Sequence, residues 1–260
     1  MRWSPTLLLP LCLVTTACGT SAKHQALVER RSAIRLADEE RELGARQAYR
    51  SKTGFQATRW GMTREEVLAV APGAVAHNAW GDLRTLGTVA GRLAVIDYVF
   101  ADGQLAEVTL HFQTSGAVRG NFGALDELLT LKYGKPASRS DSALDAAHHL
   151  ALVQMANNLS EASANYHAAR SGVRPVTPPV GSVERQWEAN AREDVTLAAI
   201  DYELQNTWKD AETELLLTGR QEPGQRSLTL QYQSVRMKPY LSKELAVRSE
   251  RRKVEQSQEL

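Results

Sequence analysis

Leu93-Ala94-Val95-Ile96-Asp97-Tyr98-Val99-Phe100, then Ala101-Asp102-Gly103-Gln104, then Leu105 to Phe112: these twenty residues decide the fold class. The first limb is apolar and β-branched, and the middle is turn chemistry, with Gly103 able to take positive φ. The return limb alternates, with Ala106, Val108, Leu110 and Phe112 on one face and Glu107, Thr109 and His111 on the other. The pattern predicts an antiparallel hairpin with one face in the core and one in water. His111 stands among outward polar positions, which makes it a solvated strand histidine and not a base.

Upstream, Phe55 to Gly61 is expected to be a short strand. Thr63-Arg64-Glu65-Glu66 then opens a helix. The Thr63 hydroxyl accepts from the Glu66 amide and Glu66 reaches back, a capping box, with Met62 and Val67 placed to staple across it. Ala71-Pro72-Gly73 stops this helix. Glu65 and Glu66 are therefore capping residues and not a catalytic carboxylate pair. Downstream, a helix is expected over Asn121 to Tyr133, capped by Asn121. Phe122, Leu125, Leu128 and Leu129 line its inner side, and Gly134 and Pro136 end it. The glycine-rich stretch from Gly116 to Gly123 lacks the Lys-Ser/Thr ending of a phosphate loop.

Residues 138–182 form an insertion. Ser140 to Arg170 is alanine-rich and helical, with a break expected near Asn157-Asn158, and Gly172 to Gly181 is extended linker. His148 and His149 would point about 100° apart on a helix and cannot share a metal as an i, i+4 pair does. Val183 to Asn190 and Val195 to Leu204 are read as strands, followed by Ala211 to Thr218 and by the alternating Leu228, Leu230 and Tyr232. The triplets Ile96-Asp97-Tyr98 and Ile200-Asp201-Tyr202 hint at an internal duplication. Residues 241–260 are charged, compatible with a helix and apolar-poor, a solvated tail that frays. Together these give an α+β fold: an antiparallel sheet with helices packed on one face, a long N-terminal helix and an inserted Ala-rich helical segment. The single domain spans 55–240.

The N-terminus carries an address. Arg2 precedes the apolar Leu7 to Val14, and Thr15-Thr16-Ala17-Cys18-Gly19 ends it with small residues before a cysteine, the grammar of a signal peptide over 1–17. The boundary resembles a bacterial lipobox, which implies lipidation at Cys18. Acyl chains there form a membrane anchor, since each buried methylene adds about 0.8 kcal/mol. By resemblance to enterobacterial lipoproteins, Gly19 after the cysteine favours the outer membrane, facing the periplasm. The other cysteine, Cys12, lies in the leader, so no disulfide is expected in the mature chain. Residues 18–54 read as a charged tether, with Arg35–Glu39 and Glu42–Arg46 four apart on a helix. Four zones follow from this: leader, tether, domain and tail.

Composition narrows the function. Formal net charge is +1, and no concentrated basic face for nucleic acid is visible. No Ser-His-Asp order, nucleophile elbow, zinc signature or dinucleotide fingerprint occurs, so no catalytic residue, cofactor or metal is expected. Trp60, Trp80, Trp187 and Trp208 are read as core or rim packing rather than exposed binding aromatics.

Arg59-Trp60-Gly61-Met62-Thr63-Arg64-Glu65-Glu66-Val67, Tyr98-x-Phe100-x-x-Gly103-x-Leu105 and Leu128-x-x-Leu131-Lys132-Tyr133-Gly134-Lys135-Pro136 resemble a recurrent pattern of bacterial envelope proteins. The pattern is similar to the small α/β module of the SmpA/BamE-type assembly lipoproteins and of the β-lactamase-inhibitor proteins. The resemblance covers 55–137 and extends to the strands after 183. It implies the fold more than an activity and transfers no catalytic role. The expected function is that of a non-enzymatic, lipid-anchored envelope protein that binds a protein or envelope component through a sheet face, a sheet edge or the inserted helix. The alternatives are an inhibitor of a secreted enzyme and an envelope hydrolase.

Overall fold

In the computed structural model, which describes residues 22–114, 116–172 and 183–258, β3 (Arg92–Ala101) and β4 (Gln104–Phe112) form the expected hairpin. Asp102 and Gly103 turn it with φ of 49° and 76°, the left-handed pair that a two-residue hairpin loop requires. The leader at 1–17, Cys18 and the linker beyond Gly172 lie outside the described residues.

The alternation holds with one correction. Register slips between Val99 and Phe100, so β4 carries one extra residue there. Leu105, not Ala106, joins Val108, Leu110 and Phe112 in the main core. Ala106 is diverted to a small second cluster with Ala101, Met237 and Leu241.

The hairpin is the middle of an eight-stranded antiparallel sheet. Its order is β1-β2-β3-β4-β8-β7-β6-β5, with β1 (Val75–Ala76), β2 (Leu83–Val89), β5 (Ser138–Asp141), β6 (Tyr202–Lys209), β7 (Thr213–Glu222) and β8 (Gln225–Ser234). This establishes the α+β class. Two three-stranded meanders, β2-β3-β4 and β6-β7-β8, meet edge to edge where Glu107 to His111 pair with Gln233 to Thr229. The Ile-Asp-Tyr triplets do not mark this repetition: Asp97 is mid-strand in β3, whereas Asp201 precedes β6.

Strict alternation sends Leu204, Trp208, Leu215, Leu217, Leu228, Leu230 and Tyr232 into the same core as the first hairpin. α2 (Arg64–Val70) and α3 (Val118–Tyr133) contribute Val67, Phe122, Leu125 and Leu129 to it. α3 lies so close to β7 that a Cβ on Gly219 would stand 2.9 Å from Phe122 and 3.0 Å from Val118; only glycine fits there. The capping box of α2 is present in both directions.

Several expected elements differ. Phe55 to Gly61 is not a strand but a turn, closed by Thr58 N–H donating to the Phe55 carbonyl at 2.9 Å, with Gln56 at φ 52°. Asn121 does not cap α3, which starts at Val118; it sits in the first turn and accepts from Arg92. α4 (Ser142–Ser171) runs unbroken through Asn157-Asn158 to a left-handed Gly172. Val183 to Asn190 and Val195 to Ala198 are not strands; they belong to helix α5 (Val183–Ala198). The four-residue spacing of Val183, Trp187, Ala191 and Val195 is the helical signal, which β-propensity obscured.

The tail is solvated only in part: residues 251–258 are exposed, but the segment before them is docked. α6 (Lys238–Gln258) buries Leu241 and Arg248. Arg248 donates to Asp82 at 2.6 Å and to the Phe100 carbonyl at 2.8 Å, a buried ion pair completed by Glu244 at 3.0 Å. Trp80 faces both Arg248 and Arg251, 5.4 and 5.3 Å from its ring centre.

The chain divides into two units, residues 1–48 and 49–260. In the first, α1 (Ala22–Gln47) is an exposed helix rich in charge. The domain begins earlier than the expected residue 55. Ser51 is buried, its amide bonded to the Trp60 carbonyl and its hydroxyl to Glu212.

Candidate functional site

The second face of the sheet is the feature that a binding function would use. Because opposed residues in an antiparallel ladder share a face, the register assembles two rows that each cross seven strands. One reads Arg84, Asp97, Thr109, Gln231, Leu216, Thr207 and Ser138. The other reads Leu86, Val95, His111, Thr229, Thr218, Gln205 and Ser140. These residues are exposed or half-buried, whereas their neighbours in sequence on β3, β4, β6, β7 and β8 are buried. α3 lies on the other side, against Gly219, whereas α6 covers one end of this face, with Leu241 clustered against Ala101 and Val99.

Arg84 and Asp97 are the charged centre of the first meander. Arg84 Nε and Nη2 donate to the two Asp97 oxygens at 2.5 and 2.7 Å, a bidentate pair between directly opposed residues. His111 Nε2 lies 3.4 Å from Asp97 Oδ2. Burial by itself would raise the Asp97 pKa; the hydrogen bonds from Arg84 and His111 outweigh it and hold the carboxyl well below the usual carboxylate range. Next to this group, buried Glu107 accepts from Thr109 Oγ1 at 3.0 Å and from Gln233 Nε2 at 3.1 Å. Gln233 belongs to β8, so the pair ties the two meanders together.

Such a surface presents hydroxyls, amides and fixed charges. It is poorly arranged for acid–base work. Asp97 is engaged by Arg84, which favours its ionised form, and the Thr109 hydroxyl donates to Glu107. Asp201 precedes the far strand β6 and is not brought to Asp97 and His111. The cavity of about 190 Å3 beside Phe55 and Ile96 and that of about 460 Å3 beside Trp187 include neither Asp97 nor His111. His148 and His149 lie on α4 and take no part in the contact between Asp97 and His111. Among the described residues no group of three or more His, Cys, Asp or Glu is placed to hold a metal. Among them, too, no helix is long and apolar enough to cross a membrane.

Asp97 and His111 stand on strands as expected, whereas β2, and with it Arg84, is not among the expected elements. The signal was present: Leu83 to Val89 joins Leu93 onward through Ala90-Gly91, a two-residue turn in which both φ are positive. The tryptophans split by environment. Trp60 and Trp208 are core, at 0% and 2% exposure, and each indole N–H is satisfied, by Thr213 Oγ1 at 2.9 Å and by the Gly134 carbonyl at 3.0 Å. Trp80 is half-buried at the rim. Trp187, in contrast to the expected packing role, is 59% exposed. Cys18, the residue expected to carry lipid, lies outside the described residues. The chain matches no protein-family model, no curated protein and no solved structure.

Proposed function

We propose that this chain is a non-enzymatic, lipid-anchored protein of the bacterial cell envelope, tethered through Cys18 to the outer membrane. Its domain binds a protein or an envelope component in the periplasm. The observation that carries the reading is the open sheet face, with its two seven-strand rows of threonine, glutamine, serine and fixed ion pair. A face of this kind offers many hydrogen-bonding groups and a few half-buried apolar side chains, the composition of a non-obligate interface. The commitment of Asp97 to Arg84 supports binding over hydrolysis, because a carboxylate held ionised by two donors is a poor proton shuttle.

Two measurements test the proposal. Photo-crosslinking from Thr109 and Gln231 in intact envelopes is expected to give one dominant adduct, with none from Leu131, which is 84% exposed on α3. Equal labelling from all three positions would remove the sheet face as the binding surface. Separately, metabolic acyl labelling is expected to be abolished by Cys18→Ala, and persistence of label would refute the anchor.

A further inference from the structure

α4 is thirty residues long and buries none of them. A helix so exposed is ordinarily dressed in charge. α1 carries eleven Asp, Glu, Lys and Arg residues in 26, and α6 carries nine in 21, whereas α4 has three: Asp145, Glu161 and Arg170. Its apolar residues lie on two sides. Leu150 and Val153 are half-buried on the side that packs with α5, where Asn157 Nδ2 donates to Glu188 Oε2 at 3.2 Å.

The other side is the informative one. Leu152, Met155, Leu159 and Tyr166 are 66%, 60%, 61% and 62% exposed. With His148, Ala162 and Ala169 they are spaced four and three apart in alternation. That is a coiled-coil seam of three heptads from His148 to Ala169. A helix apolar on opposite sides belongs inside an assembly, and only one of these sides is occupied by the described residues.

We propose that α4 packs along this seam against α4 of a second copy of the chain, joining two α4–α5 hairpins into a four-helix arrangement. Charge selects the occupant. The positions flanking the seam on both edges hold one charged residue, Arg170, so two copies meet without burying or opposing charges. The apolar pairs on α1, Leu27–Ile34 and Leu36–Leu43, are set among charges that would lose water against α4 with nothing to pair with. Area agrees: four large side chains per copy, with their neighbours, remove on the order of 1,000 Å2 from water, the lower limit of a specific interface. Beside the seam, an apolar groove of about 460 Å3 between α4 and Trp187 gives the partner helix a place to settle. Such a small interface predicts reversible association, which confinement to a membrane surface would strengthen by raising local concentration.

Sedimentation equilibrium of the full mature chain tests the proposal. A monomer–dimer equilibrium is expected, with Kd on the order of 10 μM. Leu152→Glu with Leu159→Glu should weaken it by at least about 100-fold by placing charge in the seam. Helical circular dichroism and melting should be unchanged, because both residues face water in the single chain. Leu131→Glu, on α3, should leave the dimer intact. A wild-type chain that stays monomeric at about 100 μM overturns the proposal, whatever else covers the seam; so does a dimer that survives the double substitution. Neither result touches the sheet-face reading, which photo-crosslinking tests independently.

Discussion

At the scale of single residues, the structure turns on a few polar groups placed where apolar ones would be cheaper. Asp97 sits mid-strand, surrounded by core neighbours in sequence, and is tolerated because Arg84 meets it squarely across the ladder. Its folded-state pKa lies below the unfolded value. The pair therefore contributes stability that is present at neutral pH and is lost as pH falls through the ordinary carboxylate range toward the native value. Asp97→Asn is expected to cost about 1 kcal/mol at pH 7, discounted because Arg84 is partly solvated. It should also flatten the acid limb of stability against pH. Urea titrations between pH 7 and pH 3 check this; an unaltered acid limb would mean that Asp97 is not the titrating group. Asp97 was legible in the sequence as a polar residue in an apolar strand. Its partner is legible only through the Ala90-Gly91 turn, since Gly87 interrupts the strand that carries Arg84.

At the scale of elements, what could be read depended on whether the signal was local. The β3–β4 hairpin and the α2 capping box rest on residues within a few positions of one another, and both are present as expected. α5 was mistaken for strand because its valines and tryptophan favour pleated backbone, and nothing nearby reveals that α4 lies alongside it. α6 was mistaken for a solvated tail because its apolar residues are few. The partners of Arg248 are Asp82 and Phe100, far away in sequence. The α4–α5 hairpin adds no residue to either buried cluster of the sheet. Replacing residues 143–200 with a short polar turn is therefore expected to preserve the domain, with Tm moved by no more than about 5 °C. Calorimetry tests this, and loss of the cooperative transition would show that the hairpin supports the sheet after all.

At the scale of the whole molecule, two meanders share one core through a single seam. Leu110 of β4 and Leu230 of β8 face each other there, both fully or almost fully buried. The N-terminal segment ties into the second meander, with Trp60 bonded to Thr213 and Ser51 to Glu212. The domain from Tyr49 onward should thus unfold as one unit. Leu110→Ala is expected to cost about 2 to 5 kcal/mol and to raise hydrogen exchange in β3 and β7 together. Exchange rising in one meander alone would split the domain into two folding units. By itself the sequence determined the α+β class, the hairpin, the capped helix and the alternating strands of both blocks, because each is encoded in periodicities a few residues long. Only the tertiary structure decided that β4 pairs with β8, that Arg84 meets Asp97, that the C-terminal helix is docked and that α4 keeps an open seam. Those outcomes depend on which distant surfaces bury one another, and no local pattern carries that information.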